Sequence, residues 1–404
     1  MANRYWVGGS ANWDGVALLK WSATSGGLGG ASVPTSADDV FFDNLSTGTC
    51  TIVFGNTGAK SINCTGFTGT ITGTGNFNIA GSVTLVSGMT YSHTATMSFG
   101  GTGTLTTAGK TFSGVTVFGS GITLTLGDAL NTGPRNLTVS LGTFDAAGYN
   151  VNCNTFASNN SNVRTITMGS GLWTFSGTGT VWNTATITNL TLNKNTANIL
   201  LSNTTSTART FSGGGLSFNK LTIGGATGTS TLTISGTNSF TELASTKTVA
   251  HTVRFSTNQG TIDTWSITGA AGRVVTVDSN TAGTQRNFNL TNVTSGIDYL
   301  SVKDIAVNQA NRFYVGVNST NGGNNLNVIF TAPPNSFTIT AVNGTYLVSG
   351  QNATLSFGRL LSAQNGVYSV AGQAVDISVG APPAPTLGIE LFVEIRSFTE
   401  RRRF

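Results

Sequence analysis

The sequence predicts an all-β protein built on a right-handed parallel β-helix, and three observations predict it. Apolar residues recur at every second position in short bursts, Val115/Val117, Ile122/Leu124/Leu126 and Leu137/Val139/Leu141 among them, with Thr and Ser between. This is the period of a strand with one buried face. Each burst is too short to satisfy its own backbone or cover its apolar side, so neighbours must stack above and below it. Composition agrees: of 404 residues 53 are Gly, 9% are charged and 38% are hydrophobic, which suits short strands joined by tight corners. Regular alternation with that much apolar residue argues against disorder.

The net charge of +5 does not describe a basic groove. Three of the five net charges lie in residues 396–404, where Arg396, Arg401, Arg402 and Arg403 face the single acid Glu400. No nucleic-acid partner is expected over the body of the chain. Cys50, Cys64 and Cys153 are an odd, widely spaced set, read as free buried thiols. No apolar run approaches the roughly 18–20 residues that span a bilayer, and MANRYWVGG lacks the pattern of a secretion signal, so assembly in a cytoplasm is expected.

Residues 1–43 differ in kind from the rest of the chain, with Trp6, Trp13 and Trp21 set around Gly-rich turns. An open solenoid end would expose core and strand edge together, and three Trp supply a lid. Trp6-Val7-Gly8-Gly9, Trp13, Trp21, Val33-Pro34 and Asp38-Asp39-Val40-Phe41-Phe42 succeed one another in an order that resembles the entrance of β-helical proteins of bacteriophages and bacterial surfaces.

From 44 to 330 an apolar-Thr-apolar phrase returns at irregular intervals, as in Val83-Thr-Leu85, Leu190-Thr-Leu192 and Leu232-Thr-Ile234. A degenerate β-helix with turns of roughly 20–25 residues accommodates this spacing. Phe175, Trp182, Phe211, Phe218 and Phe240 are expected to stack inside it or flank its corners. The closing stretch, Tyr299-Leu300-Ser301-Val302 and then Ser319-Thr320-Asn321-Gly322-Gly323-Asn324-Asn325, resembles the closing segment of phage-encoded and bacterial β-helices. It departs from them at Val328, where Trp would be expected.

Between 331 and 380 an internal repeat appears. Ala341-Val-Asn-Gly-Thr-Tyr346-Leu-Val-Ser-Gly-Gln351 returns 22 residues later as Ala363-Gln-Asn-Gly-Val-Tyr368-Ser-Val-Ala-Gly-Gln373. Each copy reads as an alternating strand between two turns, a small β module similar to repeats of phage structural proteins. Pro382-Pro383-Ala384-Pro385 then opens a segment, 381–404, with a candidate partner-docking strand. Ile389, Leu391, Val393 and Ile395 share one face, and Arg401, Arg402 and Arg403 lie beyond it.

Residues that could carry chemistry are few. His93 and His251 are the only His, and both fall in strand patterns. No His/Cys spacing fits a metal, and no cofactor motif is present. Asp38, Asp39 and Asp43 could gather around Ca²⁺, or Asp38 and Asp39 could cap the turn after Pro34. Asp128/Asp145 and Asp263/Asp278 are the acid pairs that turns of about 20 residues could stack, as a glycosidase would need. Most acids flank turn residues, so the sequence is read as non-enzymatic.

The resemblances imply a bacteriophage virion structural protein: a fibre, tailspike or capsid-decorating protein, a homo-oligomer and most simply a trimer. Its partners would be other virion proteins and host surface glycans. A polysaccharide depolymerase and a bacterial surface adhesin are the alternatives.

Overall fold

The structure, a computed structural model, describes residues 2–333 apart from 17–18, 54–56, 294–295 and 309–311, together with four strands at 346–349, 354–357, 368–371 and 376–379. The chain forms two units, Met1–Thr331 and Ala332–Phe404.

The first unit contains no helix among its described residues; stacked parallel strands build a β-solenoid of about 12 turns. Its strands fall into a ten-stranded, a four-stranded, a nine-stranded and a thirteen-stranded sheet, with a further two-stranded pair near residue 330. Early turns carry three short strands, as Thr123–Leu126, Leu130–Asn131 and Leu137–Val139 do. The four-stranded sheet stops at Thr90–His93 and the nine-stranded sheet starts at Leu130–Asn131. A bridge from Thr111 to Asn131 and the Tyr91–Phe112 ring contact at 4.9 Å span the interval between them. The ten-stranded sheet ends at Leu190–Asn193, and from Ser217 to Val293 the turns carry two longer strands, Ser217–Ile223 and Thr231–Ser235 first. The offset between residues aligned in parallel runs from 15 (Phe313 to Val328) to 39 (Ala11 to Cys50), which is why no strict sequence period exists.

Alternation does what the sequence pattern requires. Phe77, Met97, Val115, Leu137, Phe156, Trp182, Phe211, Ile234 and Phe255 align turn after turn as one buried column. Phe218 and Phe240 stack beside it at 5.7 Å, and Trp173 meets Phe144 and Phe156 edge-on. Leu190 and Leu192 are the exception, only half-buried, because theirs is the last strand of its sheet. Gly is obligatory where turns pack closest: Gly73, at φ 120°, sits where a Cβ would lie 1.9 Å from the Ile52 carbonyl oxygen.

The N-terminal segment is the first turn itself rather than a lid laid over it. Asn3–Trp6 pairs in parallel with Asp39–Phe41, and Ala11–Trp13 with Thr49–Ile52. Trp21–Ser22 then runs antiparallel along the outer edge of Asn3–Trp6, covering the backbone groups that an end strand leaves open. Trp6, Trp13 and Trp21 are fully buried; Trp21 meets Trp6 at 5.1 Å and Trp13 at 4.9 Å, and Trp13 rests edge-on against Phe77.

The polar run at 319–325 ties the last turn. The Leu300 amide donates to Ser319 Oγ, Ile305 N to Asn325 Oδ1, and Asn325 Nδ2 to the Val302 carbonyl. Asn321 Oδ1 accepts from the amide of Gly323, which has φ 94°. Val328 is buried and aligns with Phe313, so a small residue completes this turn.

In the second unit the repeats are stacked rather than folded as hairpins. Tyr346–Ser349 pairs in parallel with Tyr368–Ala371, and Thr354–Phe357 with Asp376–Val379, both at the 22-residue offset of the sequence repeat.

Candidate functional site

Turn geometry accounts for most of the acids. Asp128 accepts the Thr107 and Ala108 amides at 2.7 and 2.6 Å, and Asp145 accepts Ala147 N at 2.8 Å. Ala108 and Ala147 have φ of 50° and 52°, so these carboxylates hold left-handed corners that a side chain disfavours. Asp128 and Asp145 do not share a column, since Asp145 aligns with Thr125. Asp263 and Asp278 lie in different sheets. Asp278 takes a two-point bond from Arg254, at 2.8 and 2.7 Å, while Asp263 is exposed with Thr291 Oγ1 at 3.5 Å. Neither pair is therefore assembled as the sequence expectation for a glycosidase would have it. Glu242 pairs with Lys220, Asp298 accepts Asn318 and Tyr299 amides, and Asp304 accepts Asn324 Nδ2 and Gly283 N.

The acids of the first turn are occupied separately. Asp38 accepts from Ala2 and Thr35, Asp39 from Lys60 and Ser61, and Asp43 from Ser25, Leu45 and Ser46. Desolvation raises the pKa of Asp38 and Asp43, but these donors outweigh it and hold both below the usual carboxylate range. Among the described residues no group of three His, Cys, Asp or Glu is placed to hold a metal. Cys50, Cys64 and Cys153 are buried free thiols, and desolvation pushes Cys153 up to about 12.

One corner gathers groups that chemistry could use. The Ser245 hydroxyl lies 2.9 Å from His251 Nε2, and His251 Nδ1 lies 2.9 Å from the Val249 carbonyl oxygen. Since a carbonyl only accepts, Nδ1 carries the proton and Nε2 faces the hydroxyl as a lone pair, the arrangement of a nucleophile and its base. The surroundings oppose that use. Acting as a base makes imidazolium, and burial, Lys247 and Arg209 all disfavour a charge on His251. Lys247 donates to the carbonyls of Gly225 and Thr227, each at 3.0 Å, and burial followed by Arg209 lowers it to about 8. Arg209, 1% exposed, donates to Leu201 O and Ser230 Oγ. These bonds fasten successive turns of one corner. His93 is likewise buried, with Nε2 2.8 Å from the Gly75 carbonyl oxygen, and desolvation lowers its pKa.

Arg164 is a polar core residue that the sequence reading missed. It is fully buried, and its guanidinium donates to the carbonyls of Ser158, Asn162, Thr186 and Thr188. A signal existed: Arg164 shares its alternation phase with Ile166, as Arg209 does with Phe211.

What remains for recognition is the outer surface. On the ten-stranded sheet, Thr123, Thr143, Thr165 and Thr191 align as one outward column, and Thr104, Thr125, Asp145, Thr167 and Asn193 as another. On the thirteen-stranded sheet Asn78, Ser98, Thr116 and Thr138 continue the pattern. Successive members of a column are separated by the inter-strand spacing of ~4.8 Å.

The candidate docking residues Ile389, Leu391, Val393, Ile395, Arg401, Arg402 and Arg403 lie outside the described residues. No helix of the described residues is long and apolar enough to cross a membrane. No family model, curated protein or solved structure matches the chain.

Proposed function

We propose that the protein is a non-enzymatic structural component of a bacteriophage particle: a fibre, spike or capsid-decorating rod, assembled as a homo-oligomer, whose outer faces meet host surface glycans or neighbouring virion proteins. The observation that carries this reading is where the polar groups go. Six of the seven acids between residues 44 and 330 bind backbone amides or a cation, and both His and the buried Arg and Lys bind carbonyls or hydroxyls inside corners. The interior is thus spent on rigidity, and about a dozen turns make a rod on the order of 55–60 Å long. Flat columns of hydroxyl and amide groups offer many weak donors and acceptors, which suits a sugar or a polar protein face better than an apolar ligand. The Trp-rich first turn and the polar closing run are the elements that resemble phage and bacterial β-helices, and they frame this rod.

Incubation with host capsule, lipopolysaccharide or peptidoglycan is expected to release no oligosaccharides. Reproducible release that disappears in an Asp128→Asn or Asp263→Asn variant would replace this reading with a depolymerase.

A further inference from the structure

The described residues of the second unit form two turns with two strands in each. Among the described residues each of its sheets ends after two strands, Tyr346–Ser349 with Tyr368–Ala371 and Thr354–Phe357 with Asp376–Val379. Two-stranded sheets are marginal in water, and stacked repeats need about three or more units. The shortfall has a solution written into the repeat. In a parallel stack every strand uses one edge toward the turn before it and the other toward the turn after it. The first turn offers its following edge to the second, and the second turn, a copy of the same repeat, carries an equivalent following edge. The preceding edge by which the second turn docks is likewise carried by the first. The two outer ends of the unit are therefore complementary to each other, in the register already used inside the chain.

We propose that the 332–404 unit is a self-association module, in which the outer end of the second turn of one protomer pairs with the outer end of the first turn of the next, in parallel, with Tyr368 aligned to Tyr346 and Asp376 to Thr354. A second copy extends both sheets at once, whereas the single alternating strand at Ile389–Ile395 could extend only one, which is why the copy is the better occupant. The contact is heterologous, so it gives rings or open stacks rather than a two-fold dimer. It rests on the homo-oligomer part of the proposed function and adds its geometry.

Cysteine cross-linking of the full-length chain tests it. Val348 and Val370 are aligned partners, so Val348→Cys and Val370→Cys are placed in separate chains and co-expressed, while Cys50, Cys64 and Cys153 stay buried. Mild oxidation is expected to give disulfide-linked dimers from the mixture and not from either variant alone. Ser356→Cys with Ser378→Cys repeats the test on the other sheet, should the first pair fold poorly. Truncation after Pro385 is expected to leave the cross-link unchanged. An oligomer without either cross-link would overturn this contact while keeping self-association. A monomer at all concentrations by light scattering would overturn both, and loss of the cross-link on truncation would assign the contact to the 386–404 strand.

Discussion

Replacing Trp13 by alanine is expected to cost about 3–5 kcal/mol of folding stability, the range for removing a fully buried large aromatic. The ring touches Trp21, Phe42 and Phe77, so the loss falls on three neighbours in the first turns and not on a flexible margin. The side chain is in a strand held by parallel pairing to Thr49–Ile52, which prevents the backbone from collapsing into the hole. A downward shift of the denaturant midpoint measures it. Deleting residues 1–43 is the stronger form, because it uncovers Phe77 and removes Asp39–Phe41 and Phe42, leaving the edge of the next turn open, and the truncated chain is expected to aggregate. A soluble truncation with unchanged heat stability would show that these residues are an independent arm.

Arg164→Ala is expected to cost about 2–4 kcal/mol, from lost packing and from carbonyls stripped of a donor. One guanidinium binds two carbonyls of its own turn, Ser158 and Asn162, and two of the next, Thr186 and Thr188. Its planar fork reaches both turns at once, which an ammonium cannot do. Arg164→Lys should therefore recover only part of the loss, with thermal midpoints ordered wild type, Lys, Ala. An alanine variant as stable as wild type would mean that water replaces the guanidinium without cost.

Much of the architecture was legible in the sequence because period two leaves a direct trace. Val115/Val117, Leu137/Val139 and Leu232/Ile234 all face inward with Thr between them. The aromatics from Phe175 to Phe240 stack in the interior, and the Tyr346/Tyr368 repeat pairs at its own offset. What could not be read was alignment between turns. Turn length varies with each corner, so the spacing of Asp128 and Asp145 gives no column, and only the strand register shows that Asp145 stands beside Thr125. The merging of three strands into two after Asn193 is equally invisible, since both cross-sections use the same alternation. The buried corner of Arg209, Lys247 and His251 was hidden for a different reason. Charge in a strand pattern is ordinarily read as an outer face, and only the phase of Arg209 with Phe211 and of His251 with Val253 gives it away.

The central claim, a structural part of a phage particle, is tested most directly on purified virions. Mass spectrometry of density-banded particles, with immunogold labelling by an antibody against the solenoid, is expected to find the protein at a fixed copy number per particle and at a defined position. Absence from banded particles, with the protein recovered only from the free lysate, would contradict it.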